Sequence, residues 1–307
     1  MFSTIVVGFD GTDEAEDGLA FAGRLAEVTG GRLVLAFAYG GESIAVGIGS
    51  ASIGVRMHEE AREVLRRGLK LLPEGVRAEM RALRHASPAR GLHELAQELD
   101  ADLIVLGPAQ FGPLGRVVVG SVAMRLLHGS ACPVAVAPKG YARDDRQPRG
   151  RIGVCWDGSA ESQLALETAG ELARLLGAEV RLWHAVDPRL FAHPSYPGVY
   201  VTMPTEAEMT ESAREALDQA LKSVPADVKA SAEPLVGNVA NSLAAQAADE
   251  AVDLMVTGSR GYGPLRRVLL GDVSSTLVHE APCPILIVPR SAIDAPLPEA
   301  QPEPAAP

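Results

Sequence analysis

The sequence predicts two α/β domains, each a five-stranded parallel sheet with helices on both faces. Three observations carry this. Short apolar runs alternate with helix-period segments, the pattern of strands joined by right-handed helical crossovers. The pattern occurs twice along the chain. The 307 residues, 47% of them hydrophobic, are enough for two cores of ordinary size.

The elements follow in order. Residues 4–9, TIVVGF, form a short β-rich run that ends in Asp10-Gly11-Thr12. Thr12 or Asp13 N-caps a helix whose apolar positions Leu19, Ala22 and Ala26 fall at helical spacing. Gly30-Gly31 ends that helix, and a second strand runs from Leu33 to Tyr39. The Gly/Ser/Ala-rich residues 40–54 are expected as a mobile loop. Residues 55–72 are expected as an amphipathic helix, with Glu59, Glu60 and Glu63 early and Arg66, Arg67 and Lys70 late, as the helix dipole favours. Val76, Ala78, Met80 and Ala82 alternate with polar residues, as in a strand. Ser87-Pro88 opens a helix to about Leu99, and DLIVLG from Asp102 is the fourth strand. A glycine-containing loop, a helix and a last strand, Val134 to Ala137, complete the unit.

The unit then restarts. Arg151-IGVCWDGS parallels Thr4-IVVGFDGT, and Asp157 follows Asp10 by 147 positions. Gly258, Gly271, His279 and Cys283-Pro284 follow Gly107, Gly120, His128 and Cys132-Pro133 by 151. The growth in spacing places about four extra residues in the Pro-rich stretch 188–204. The domains are expected at 1–139 and 150–290, with a polar linker at 140–149 and a disordered Pro-rich tail at 291–307.

In both halves the fourth strand empties into glycines just before a helix. Glycine lets backbone approach an anion, and the free N–H groups of a helix start point at it. Parallel sheets bind ligands beyond the carboxyl ends of their strands. The Asp-Gly turn after the first strand and the glycine loop after the fourth both lie at that edge, so they are expected to share one site. Asp-Gly-Thr/Ser also reads simply as a turn that leads into a helix cap. Asp272 and Ser121 are good N-caps in their own right. His128 and His279 fall late in a helix, and His184 reads as a core or pocket-lining residue. Cys155, inside a strand, reads as packing.

Composition excludes several classes. The net charge of −11 argues against nucleic acid and anionic membrane as partners. No apolar run reaches the ~18 residues of a membrane span, and MFSTIVVGFDG lacks the marks of a signal peptide. Three cysteines without a C-x-x-C pair suit reduced thiols and a cytoplasmic location. The P-loop, nucleophile-elbow and H-E-x-x-H patterns are all missing.

Gly107 to Pro133 and Gly258 to Pro284 resemble the G-x2-G-x9-G-[ST] signature of the universal stress proteins, in their tandem form. The likeness covers about residues 1–290. It implies Rossmann-like, adenine nucleotide α-hydrolase-like domains and, in one subclass, bound ATP or AMP, with Mg²⁺ as an optional companion. It implies Asp10 and Asp157 at the adenosine, main chain near Ala38 and Ala185 framing the adenine, and the glycine loops on ribose and phosphates. The loop residues so implied are Gly107, Gln110, Gly120, Ser121 and Val122, then Gly258, Arg260, Gly261, Gly271, Asp272, Val273 and Ser274. No catalytic or metal residue is assigned. Gln110 stands where the second glycine belongs, and Asp272 where the hydroxyl belongs. Asp272 sets a charge against phosphate, so the first half is expected to take ATP more tightly. The second half is then empty or takes AMP or adenosine.

The expected function is an adenine-nucleotide-binding stress protein that works through conformation or assembly. The alternative is a dimerisation scaffold that binds no nucleotide. A slow ATPase or autophosphorylating enzyme ranks third, because no general base stands near the loops. The last strands are short and apolar and would leave an open edge, and the resemblance to family dimers implies that they meet or exchange edges in an intramolecular pseudo-dimer, with a further homodimer beyond it.

Overall fold

Ile5, Val6 and Val7 are β-formers with no exposed surface, and they place the first strand, β1 (Thr4–Gly8), at the centre of its half. The computed structural model describes residues 1–40, 50–108, 121–130, 132–191, 204–259 and 272–289. After β1 come α1 (Asp13–Thr29), β2 (Arg32–Tyr39), α2 (Ser50–Leu69), β3 (Arg77–Arg84) and α3 (Pro88–Glu98). β4 (Leu103–Leu106), α4 (Ser121–Leu127) and β5 (Val134–Val136) close the first half. The second half repeats the order with β6 (Arg151–Cys155), α5 (Ala160–Leu176), β7 (Glu179–Val186), α6 (Glu206–Leu221) and β8 (Ala230–Val236). It ends with α7 (Val239–Asp249), β9 (Leu254–Gly258), α8 (Asp272–Glu280) and β10 (Ile285–Val288).

Caps set the helix starts. Thr12 accepts from the Ala15 N–H and Ser159 from the Ser162 N–H, each at 3.2 Å. Such a cap contributes about 1 kcal/mol. Gly30 and Gly177, both left-handed, end α1 and α5. One expectation is corrected. Ser50 to Gly54, read as loop because they are small, belong to α2, and the helix stops at Leu69 rather than at residue 72. Alanine is the best helix former and serine costs a helix only about 0.5 kcal/mol, so small size alone does not mark a loop. His128, expected late in a helix, lies just beyond the end of α4, with its Nδ1 2.6 Å from the Met124 carbonyl oxygen.

All ten strands form one sheet, in the order β3-β2-β1-β4-β5-β10-β9-β6-β7-β8. Pairing is parallel within each half. At the join it is antiparallel, with Leu286 opposite Ala135. The two last strands thus cover each other's open edges, as their apolar sequences demand. One face carries α1, α2, α5 and α6, and the other α3, α4, α7 and α8. Both cores run through both halves.

The segment between β5 and β6 was expected as a polar linker. Part of it is docked on α1. Asp17, buried on α1, accepts from the Gly140 and Ala142 N–H groups at 2.8 Å each. Arg24 lies 4.7 Å from the Tyr141 ring centre, and Arg143 pairs with Asp13 at 2.6 Å. A buried carboxylate needs donors, and this short turn supplies them. The expected tail at 291–307 lies outside the described residues.

Candidate functional site

In each half the strand order reverses beside the first strand. β2 and β3 lie on one side of β1, and β4 and β5 on the other. In the second half β6 is flanked by β7 and β9 in the same way. Such a switch point opens a crevice at the carboxyl ends of the strands. Asp10 follows β1 and Gly107 follows β4, so the two straddle it. Asp157 and Gly258 do the same at β6 and β9.

The two aspartates are built alike. Asp10 Oδ1 accepts from the Thr12 N–H at 3.1 Å and the Thr12 hydroxyl at 2.6 Å. Asp157 Oδ1 accepts from the Ser159 N–H at 3.0 Å and its hydroxyl at 2.5 Å. Gly11 and Gly158 make the turn with φ near +82° and +81°, which a side chain would strain. Both carboxylates are exposed at the mouth of the crevice. The turn-and-cap role is therefore present in both halves, and it leaves the second oxygen of Asp10 without a hydrogen-bond partner among the described residues.

Gly107 and Gly258 have a packing reason to be glycine. A Cβ on Gly107 would strike the Glu14 carbonyl oxygen in the first turn of α1. One on Gly258 would meet the Glu161 carbonyl carbon and oxygen at 2.6 and 2.7 Å. These glycines bring the first turn of α1 or α5 against the end of the neighbouring strand. Ser274 is buried, and its hydroxyl donates to the Gly258 carbonyl at 3.2 Å, tying α8 to β9. Val122 and Val273 pack partly buried against the α3/α7 side of the core. Ala38 and Ala185 lie near the ends of β2 and β7, paired with Leu83 and Leu235. Gln110, Gly120, Arg260, Gly261 and Gly271 lie outside the described residues, as do the side chains of Ser121 and Asp272.

The halves differ beneath the aspartates. The first half has Phe9 and Phe37, and the repeat of 147 puts Trp156 and His184 in their places. Trp156 Nε1 and His184 Nδ1 are both buried and have no hydrogen-bond partner among the described residues. Burial lowers the His184 pKa, with Asp157 pulling the other way. Trp156 escaped the sequence analysis, although a Trp beside a duplicated Asp-Gly turn that has Phe in its twin is a readable signal. Asp187 and Arg189, just past β7, also escaped it. Asp187 is buried, takes both Arg189 nitrogens at 2.8 Å, and has its carboxyl held below the usual range by them. Nothing periodic marks that pair in the sequence.

The Cys155 thiol is buried, and burial drives its pKa up, so it is an inert packing group. No three His, Cys, Asp or Glu side chains among the described residues are grouped to hold a metal ion. No helix among them is long and apolar enough to cross a membrane.

A family model, the universal stress protein family, matches residues 1–138 and again 148–289. The chain belongs to that family, with the domain present twice. A universal stress protein of Mycobacterium tuberculosis (strain H37Rv) is 29% identical over 246 residues, covering 78% of this chain and 80% of its own. The crystal structure of a universal stress protein from Archaeoglobus fulgidus superposes with a TM-score of 0.70 at 17% identity, covering 94% of this chain and 99% of that one. A universal stress protein solved in complex with cAMP is 25% identical over 46% of this chain and 98% of its own, with a TM-score of 0.34.

Proposed function

We propose that the protein binds adenine nucleotides at the two carboxyl-edge crevices and acts through the conformation or assembly that the ligand favours. One observation carries the reading. In both halves an aspartate turn and a glycine strand end straddle the switch point, with the first turn of α1 or α5 held against it. This is where a parallel sheet offers a cleft and helix N–H groups together. The Trp156 and His184 nitrogens, which have no partner among the described residues, add hydrogen-bonding capacity in the second half that suits the polar edge of a base. The first half takes ATP. The second takes the less charged AMP or adenosine. The protein works in the cytoplasm, and no catalytic step is assigned to it.

Calorimetry on the whole chain with ATP, AMP, adenosine and cAMP tests this. Saturable binding of at least one of them is expected. No heat with any of the four, and no adenine nucleotide released on denaturing the purified protein, leaves the scaffold reading in its place.

A further inference from the structure

The opposite edge of the sheet, at the amino ends of the strands, differs between the halves in a way that the carboxyl-edge sites do not explain. In the first half Phe2 is a plug. It is 3% exposed, and its carbonyl packs against Gly31. The repeat of 147 puts Arg149 in its place. Arg149 is exposed, and the space beside it is an open cavity of about 440 Å³ between β6, β7 and the end of α5. That volume lies in the range of small-molecule sites.

The cavity is lined by Arg149, Arg151, Arg174 and Lys229 against Glu179 and Asp227, with the Asp253 carboxylate behind it on the Arg149 and Arg151 main-chain N–H groups at 2.9 Å each. It is a local cationic site in a chain of net charge −11. The Arg149 main chain donates to Asp253 at 2.9 Å, and its guanidinium has no partner among the described residues. Arg174 forks onto Asp227 at 2.8 and 2.7 Å, with both side chains more than half exposed. Lys229 reaches Glu179 at 2.7 Å with its side chain 82% exposed. The Arg174–Asp227 pair, exposed on both sides, contributes little, so its cation exchanges partners at small cost. The repeat places Glu27 and Arg32 where the second half has Arg174 and Glu179, so the first half does not reproduce the arrangement. The carbonyl end of α5 also faces this edge. Its partial negative charge, about half a unit, is smaller than the cationic excess of the lining.

We propose that this cavity is a further binding site, for a small polyanion that carries phosphate or carboxylate groups. Arg149 is its free-reaching cation, Lys229 adds a solvent-exposed charge while it stays paired with Glu179, and Arg174 supplies a planar fork that matches either group. The site is independent of the carboxyl-edge nucleotide sites and does not rest on them.

Inorganic pyrophosphate is the probe, titrated calorimetrically into the whole chain at low ionic strength, where screening is least. Binding at one equivalent is expected. Arg149→Phe, which restores the plug of the first half, should weaken it about tenfold or more. Arg149→Ala combined with Lys229→Ala should do the same with an unchanged far-ultraviolet circular dichroism spectrum. No binding at millimolar pyrophosphate overturns the proposal. So does binding that both variants leave unchanged, because the ion would then sit elsewhere.

Discussion

Trp156, one residue past β6, and His184 on β7 meet edge to face, with ring centroids 5.7 Å apart and planes at 68°. Each presents a buried nitrogen with no partner among the described residues, at positions where the first half has phenylalanine. An unmet buried polar group costs about 1–3 kcal/mol, whereas an apolar group of similar shape does not. Trp156→Phe with His184→Phe should therefore raise the ligand-free stability, by about 1–2 kcal/mol. It should reduce the thermal shift that AMP produces. Melting curves with and without AMP check both. A variant that is less stable without ligand would show that the nitrogens are satisfied. The depressed His184 pKa has a sign of its own. Stability from this group is complete above the unfolded value of 6.5 and fades as pH falls through the lower folded value. The double variant should lose that part of the acid sensitivity.

Asp10→Asn and Asp157→Asn keep an acceptor for the Thr12 and Ser159 bonds and remove only the charge. Ligand-free stability is expected to change by less than about 0.5 kcal/mol, while nucleotide affinity falls by about 1–3 kcal/mol. Calorimetry separates the two effects. Equal affinity in wild type and the double variant would leave these residues with the turn-and-cap role alone.

Gly107→Ala and Gly258→Ala place a methyl group against main chain of the first turns of α1 and α5. Backbone cannot rotate away as a side chain does, so each change should destabilise by about 1–3 kcal/mol without any ligand present. Chemical denaturation measures it. If both variants match wild type in stability, the close approach of helix to strand is not what selects glycine.

Glu179 gathers Lys229, Arg151 and Arg181 at 2.7, 3.0 and 3.0 Å and ties the starts of β6, β7 and β8 together. The Lys229 bond, with help from the two arginines, holds its carboxyl down to about 2. A depressed carboxylate adds stability that is complete above its unfolded value of 4.5 and is lost as pH falls toward 2. Glu179→Gln should cost about 1–2 kcal/mol at neutral pH, a figure kept small because Lys229 is largely in solvent. The gap between variant and wild type should close between those two pH values. A gap that stays constant across that range would show that Glu179 titrates normally.

The sequence by itself determined the duplication, the order of strands and helices in each half, and the Asp-Gly turns. All of these are local. Ile5-Val6-Val7 need a sheet buried on both faces, Thr12 and Ser159 announce helix starts, and Gly11 and Gly158 announce tight turns, whatever the rest of the chain does. The open edge of the apolar last strands, together with the family resemblance, pointed to a pairing of the halves. Tertiary structure decided the rest, because it depends on what residues far apart bring to one place. Ala135 facing Leu286 antiparallel makes ten strands one sheet. Asp17 draws residues 140–142 onto α1, so that part of the linker is structure. The approach of Glu14 to Gly107 gives that glycine a packing reason where its sequence context suggests only phosphate. Trp156 beside His184, and an open cavity where Phe2 plugs the twin half, arise from pairing and packing that no periodicity records. Periodicity states which face of an element is buried, and only the fold states which side chains are left there without a partner.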